Sequence, residues 1–192
     1  MPDVFTVPAP QTPAGERILR AAASLFYERG IQAVGVDLVA EVAGTTKKTI
    51  YDRFGSKDAL VAEYLLARAR GWQAHLVAAN ERRRPGPRRV LGAFDALETW
   101  LAGSTRGCAF VNAYAEFGDR ADHPAVAIIR AEKEWMHAYF RAELDGRTGA
   151  DRLAGVVRLL YEGALVTLTA GGEPGAIAAA RRAVADLLGV RP

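Results

Sequence analysis

The chain has 192 residues and a mass of 20.6 kDa, a length typical of one domain or of a small head on a larger body. Half of the residues are apolar, and 37 alanines stand against 22 valines and isoleucines, a composition that favours helix over sheet and excludes a disordered chain. The net charge of +3 is too small to require a polyanionic partner by itself. We therefore expect a globular, all-α protein.

The cellular setting follows from what the sequence lacks. Residues 1–11 have no basic stretch followed by an apolar core, so they do not resemble a secretory signal, and we expect them to be disordered. The longest charge-free runs are about half as long as a membrane span requires. Cys108 is the only cysteine, and no Cys/His cluster has zinc spacing. We therefore expect a cytoplasmic protein with no membrane partner, no metal and no cofactor.

Three helices are predicted within the first 56 residues. The first begins at Thr12-Pro13, ends at Gly30 and carries an apolar stripe at helical spacing, which consists of Ile18, Ala21, Ala22, Leu25 and Phe26. Two short helices follow, over about 37–43 and 46–54. Neither would be stable alone in water, so the three must pack together.

The rest of the chain also has helical periodicity. Ser56 caps a long helix over about 57–79, and residues 81–89 (ERRRPGPRR) break the pattern with two prolines and a glycine. We interpret this break as a solvated loop, with an anion or partner site as the alternative. Further helices are predicted over about 90–102, 108–117, 124–144, 153–168 and 174–188.

The two short helices have the layout of a helix-turn-helix. Ala40 is small where the helices approach, Gly44 can adopt the left-handed turn conformation, and Ile50 is apolar where the third helix must dock. Between residues 45 and 57 the sequence has a local charge of +3, equal to that of the whole chain. On charge alone a solvated helix face is the favoured explanation of this cluster, but the turn pattern favours an interface with DNA.

The segment GIQAVGVDLVAEVAGTTKKTIYDRFGSKDALVAEYL resembles the DNA-binding head of the TetR/AcrR family of transcriptional regulators. The resemblance covers residues 18–66, and its most specific parts are Ala43-Gly44, Thr49-Ile50-Tyr51, Phe54 and the run 56–60. It implies a helix-turn-helix head over 1–56, joined by a long fourth helix to a helical ligand-binding and dimerisation domain over 57–192.

The resemblance also assigns roles to side chains. It places Lys47, Lys48 and Tyr51 near base edges or phosphates, and it places Thr46, Thr49, Arg53 and Lys57 at the DNA backbone. Three alternatives stay open: Tyr51 as a core residue, Thr46 as a helix cap only, and Lys57 as a solvated side chain. The sequence departs from the family at two positions. Gly35 removes a possible phosphate contact, and Asp52 could repel phosphate, accept from a cytosine amine, or pair with Arg53 or Lys48.

A ligand pocket is predicted in the second domain. Cys108, Asn112 and Glu116 follow one another at helical spacing among apolar residues, and buried polar groups need partners. Candidates for the apolar wall are Trp100, Trp135, Tyr139 and Tyr161. The alternative is an ordinary core with a satisfied asparagine and a solvent-facing glutamate.

These inferences predict a regulator rather than an enzyme. We expect a homodimer, paired through 151–169 and 174–188, that binds double-stranded DNA at a near-palindromic operator. We also expect a repressor that is released by a small-molecule effector. The alternatives are an activator, a repressor without a small ligand and, remotely, a thiol-dependent enzyme that uses Cys108.

Overall fold

A computed structural model of the protein describes residues 12–104, 106–117 and 120–190; the expected disorder of 1–11 lies outside this part of the chain. The described residues form nine α-helices and no strand, as the composition predicts. In chain order the helices are α1 (Pro13–Arg29), α2 (Val36–Val42), α3 (Lys47–Phe54), α4 (Lys57–Asn80), α5 (Pro87–Trp100), α6 (Ala109–Phe117), α7 (Pro124–Glu143), α8 (Ala150–Thr169) and α9 (Ala176–Leu188).

Local capping explains the bounds of α1. The Thr12 side chain accepts a hydrogen bond from the Gly15 N–H, and Pro13 occupies the first helical position, where its missing N–H costs nothing. Gly30 ends the helix with a φ of 90°, which a residue with a side chain adopts only with strain. The predicted apolar stripe is buried, from Ile18 at 0% exposure to Ala21 at 8%.

Helices α2 and α3 form the predicted helix-turn-helix. Gly44 has a φ of +61°, and the Thr45 N–H donates to the Ala40 carbonyl oxygen across the turn. Ala40 and Ile50 are both buried, and α3 packs against α1 and α2. The structure confirms the helix bounds to within one residue, because the glycine and threonine at the turn are local signals.

The described chain divides into two compact units. The head unit comprises residues 12–70 and 108–131, and the body unit comprises 71–107 and 132–190. Helices α4 and α7 each contribute residues to both units. The boundary predicted at residue 57 divides a DNA-binding segment from a ligand-binding and dimerisation segment, and it stays a prediction. The two units are defined by packing instead, and the head unit extends beyond residue 57.

Aromatic side chains fill the core of the body unit. Tyr161 contacts Trp72, Phe94 and Phe140, with ring centroids 5.6–6.4 Å apart. The Tyr139 hydroxyl accepts a hydrogen bond from the Asn80 side chain at 2.9 Å, which satisfies both buried groups. Around this core α9 packs against α5 and α8.

The predicted loop at 81–89 is shorter than expected. Helix α5 begins at Pro87, so the last residues of the predicted loop are helical; proline is favoured at a first helical position. Arg83 pairs with Asp95 at 2.8 Å, and Arg89 pairs with Glu143 at 3.5 Å. These two arginines therefore join parts of the body unit. Within the described residues, no helix is both long and apolar enough to span a bilayer.

Candidate nucleic-acid interface

Helix α3 is held by one face and exposes the other. Ile50 is fully buried, while Lys47, Lys48, Arg53 and 42% of Tyr51 are exposed. Three cationic side chains and a tyrosine hydroxyl thus stand on one short helix and can donate to base edges or to phosphates. The exposure of the tyrosine argues against its alternative as a core residue.

The two threonines of α3 organise the start of the helix. The Thr46 side chain accepts from the Thr49 N–H at 3.1 Å, and the two hydroxyls lie 2.9 Å apart. Thr46 is therefore a helix cap, and its additional contact with the DNA backbone stays a prediction. A capping hydroxyl at a helix start lies beside free backbone N–H groups, where a phosphate also binds.

Each lysine of α3 is paired with a carboxylate. The Lys47 Nζ lies 3.0 Å from the Asp37 Oδ2 of α2, and the Lys48 Nζ lies 2.8 Å from the Asp52 Oδ2. The hydrogen bond and the charge of the partner raise the pKa of both ammonium groups above its ordinary value. Of the two basic residues that the sequence left open as partners of Asp52, the structure pairs Lys48 with it rather than Arg53.

Lys57 differs from the lysines of α3 because it is half-buried. Burial lowers the pKa of its ammonium group, and the charges of Glu116 and Asp58 offset part of that effect. The preceding Ser56 accepts from the Ala59 N–H at 3.0 Å and caps α4, as predicted. Lys57 is thus part of the packed start of α4 rather than a fully solvated side chain.

Within the head unit, α6 and the residues that follow it contact the turn after α1 and the start of α4. The Glu116 carboxylate accepts from the backbone N–H groups of Ile31 and Gln32, at 2.9 and 2.6 Å. Asp58 lies 3.0 Å from Arg120 and 3.3 Å from the buried ring of His123. These contacts hold the turn after α1 and the first turn of α4 against α6 and the α6–α7 connection.

Burial and the neighbouring charges act in opposite directions on the pKa of Asp58. Burial raises the pKa of its carboxyl, whereas the hydrogen bonds and charges of Arg120 and His123 lower it, and the net pKa lies below the ordinary value of 3.8. The ring of His123 also stacks on Phe117, with the ring centroids 3.9 Å apart. The surroundings of Asp58 therefore favour its charged carboxylate form.

The predicted pocket residues are divided between the two units. Cys108, Asn112 and Glu116 belong to the head unit, and the last two line a cavity of about 10 Å³, with room for about one water molecule. Four aromatic residues belong to the body unit: Trp100, Trp135, Tyr139 and Tyr161. Glu116 is partly exposed, and its carboxylate accepts hydrogen bonds from two backbone N–H groups.

A larger cavity lies within the body unit. Its volume is about 430 Å³, in the range that small-molecule sites occupy, and it lies between the ends of α5 and α8 and the start of α9. It is lined by Glu98, Leu101, Ser104, Leu168, Thr169, Pro174 and Ile177. None of these residues was predicted from the sequence to line a pocket, because they come from three separate helix ends.

Comparison with known proteins identifies the class of this fold and interface. Residues 18–64 match the family model described as bacterial regulatory proteins, tetR family. The chain is 31% identical over 159 residues to the HTH-type transcriptional regulator YdgC of Bacillus subtilis, covering 79% of this chain and 81% of that protein. The chain belongs to the TetR family of DNA-binding transcriptional regulators.

Two further proteins extend the comparison. The HTH-type transcriptional repressor DhaR of a Mycobacterium species is 23% identical over 82% of this chain and 83% of its own. A TetR-family transcriptional regulator from Streptomyces coelicolor has a structure that superimposes with a TM-score of 0.84, at 26% identity, over 91% of this chain and 94% of its own. The family consists of transcription regulators rather than enzymes.

Proposed function

We propose that the protein is a homodimeric repressor that binds a near-palindromic operator through α3 and is released by a small-molecule effector. The main support for DNA binding is the exposed face of α3, which has Lys47, Lys48 and Tyr51 on a helix anchored by the buried Ile50. The seven predicted contact residues stay the proposed interface. Repression is favoured because DhaR, a relative over most of the chain, carries that name.

An exposed apolar surface supports the homodimer. On α8, Leu159 and Val166 are 70% and 52% exposed, and a Cβ added at Gly163 between them would meet nothing within 4 Å. On α9, Ala183 is exposed and Leu187 is 40% exposed. We call these five residues the α8–α9 patch. A second copy would cover the patch, because a helix pair with small residues allows close approach of another pair.

The effector has two candidate sites. One comprises the seven pocket residues predicted from the sequence, and the other is the 430 Å³ cavity of the body unit. The cavity has leucine, isoleucine and proline walls with one carboxylate and two hydroxyls, a lining suited to an apolar molecule with a few polar groups. Because α4 is one uninterrupted helix with residues in both units, it can connect an effector site in the body to the head.

Fluorescence anisotropy with a selected operator tests the interface. Lys47→Ala should weaken operator binding by about 1–3 kcal/mol and relax the preference at one position, if the lysine donates to a base. Lys57→Ala should weaken all duplexes alike and reduce the salt slope by about one, if the lysine contacts a phosphate. Unchanged affinity and preference in Lys47→Ala would show that α3 does not read the operator through this face.

A further inference from the structure

One ion pair stands on the surface of α3 where the head would meet DNA. Lys48 and Asp52 are four residues apart and therefore lie on the same face of the helix, with their side chains 84% and 59% exposed. The distance between Nζ and Oδ2 is 2.8 Å. The pair thus presents a hydrogen-bond donor beside an acceptor.

We propose that Lys48 and Asp52 act as one unit that reads a G·C base pair in each half-site. This inference rests on the proposed DNA-binding function and names the base pair that the recognition helix selects. In the major groove, guanine offers the acceptors N7 and O6, and cytosine offers the donor N4 amine next to O6. The ammonium can donate to guanine while the carboxylate accepts from cytosine.

The Lys48–Asp52 ion pair fits A·T base pairs and the phosphate backbone less well than a G·C pair. An A·T pair places the adenine amine between its two acceptors, adenine N7 and thymine O4, so the ammonium of Lys48 would meet one acceptor where guanine supplies two adjacent ones. A phosphate offers acceptors only, and it would repel the carboxylate of Asp52. Asp52 therefore lowers the affinity for non-specific DNA, while it adds a contact at the matching base pair.

Base analogues separate the two contacts in a selected operator. At each G·C pair of a half-site, cytosine is replaced by 2-pyrimidinone, which lacks the 4-amino group, and in a second series guanine is replaced by 7-deazaguanine, which lacks N7. At one position, removal of the amine should weaken wild-type binding by about 10- to 100-fold. The same replacement should have little effect on Asp52→Ala, because the acceptor is already gone.

The contact between Lys48 and guanine is tested in the same way with 7-deazaguanine. Loss of N7 at the same position should weaken binding by the wild type but not by Lys48→Ala. Glu41→Gln is the matched control, since it removes an exposed carboxylate from the neighbouring helix α2 and should retain the full sensitivity to both analogues. Binding to a random duplex should become stronger in Asp52→Ala and should not change in Glu41→Gln. Circular dichroism verifies that each variant is folded.

The outcomes are distinct. Non-additive losses for Asp52 with the amine and for Lys48 with N7, at one G·C pair, support the proposal. Additive losses, or a selected operator in which no G·C pair is sensitive to either variant, overturn it while the DNA-binding function stands. If no sequence is enriched by the wild type, the DNA-binding function fails first, and this proposal fails with it.

Discussion

At the scale of single residues, Glu116 has a role that its position in the sequence did not reveal. Its carboxylate accepts two backbone N–H groups of the turn after α1, and its partners are 84 and 85 residues away. A backbone N–H left without an acceptor in a partly buried turn costs free energy. Glu116 therefore stabilises the turn after α1 within the head unit.

Replacement of this carboxylate has a measurable cost. We expect Glu116→Gln to reduce the free energy of unfolding by about 1–2 kcal/mol, because an amide offers one oxygen where the carboxylate offers two charged ones. Urea denaturation gives the difference. Glu134→Gln, at an exposed carboxylate of α7, should be within about 0.5 kcal/mol of the wild type. Equal stability of the two variants would show that the turn does not depend on Glu116.

The carboxylate of Asp58 links stability to pH. Its pKa is lower in the folded chain than the ordinary 3.8, so its contribution is present above that pH and is lost as the pH falls through the lowered value. The difference in unfolding free energy between the wild type and Asp58→Asn should thus be present at about pH 5 and shrink below about pH 4. Asp186→Asn, at an exposed position of α9, should show no such change. A difference that grows in acid would contradict this assignment.

At the scale of elements, the helix ends could be predicted because their signals are local. Thr12-Pro13, Gly30, Gly44 and Thr46 fix the ends of α1 to α3 through capping and through left-handed glycines. The ion pair between Lys47 and Asp37 was not predicted, since it depends on how α2 and α3 pack. Side chains that meet across elements have no signal in a single sequence.

The apolar faces of α8 show a second limit of sequence reasoning. The segment 151–169, with an apolar stripe at helical spacing from Leu153 to Leu168, was assigned to the dimer interface, yet Val157 and Tyr161 within the stripe are buried in the body unit of one chain. Leu159, outside that stripe, is 70% exposed. An apolar stripe that faces its own core and one that faces a second copy have the same composition, so periodicity alone does not separate them.

This distinction predicts two different consequences of adding a charge. Leu159→Arg should give folded monomers in sedimentation velocity, because the arginine would lie in the apolar interface between two copies. Val184→Arg should instead unfold the chain, since Val184 is fully buried within it. A tight dimer of Leu159→Arg would exclude the α8–α9 patch as the interface.

At the scale of the whole molecule, regulation requires a coupling between effector and operator. A hundredfold loss of operator affinity corresponds to about 2.7 kcal/mol, and DNA must then weaken effector binding by the same factor. Once screening has identified a ligand, Leu101→Trp should abolish its binding if it occupies the 430 Å³ cavity. Asn112→Leu should abolish it if the sequence-predicted pocket is the site. Calorimetry on both variants distinguishes the sites, and a ligand that both bind normally excludes them.

The central claim is that two copies of the chain read DNA through α3, and selection from random duplexes by the purified protein tests it most directly. Two heads related by a two-fold axis must read two half-sites in opposite orientation. The account predicts enrichment of an inverted repeat whose half-site centres are about one helical turn (34–36 Å) or somewhat more apart. Enrichment of a single unpaired half-site would contradict the dimeric reading, and no enrichment over random sequence would contradict sequence-specific binding.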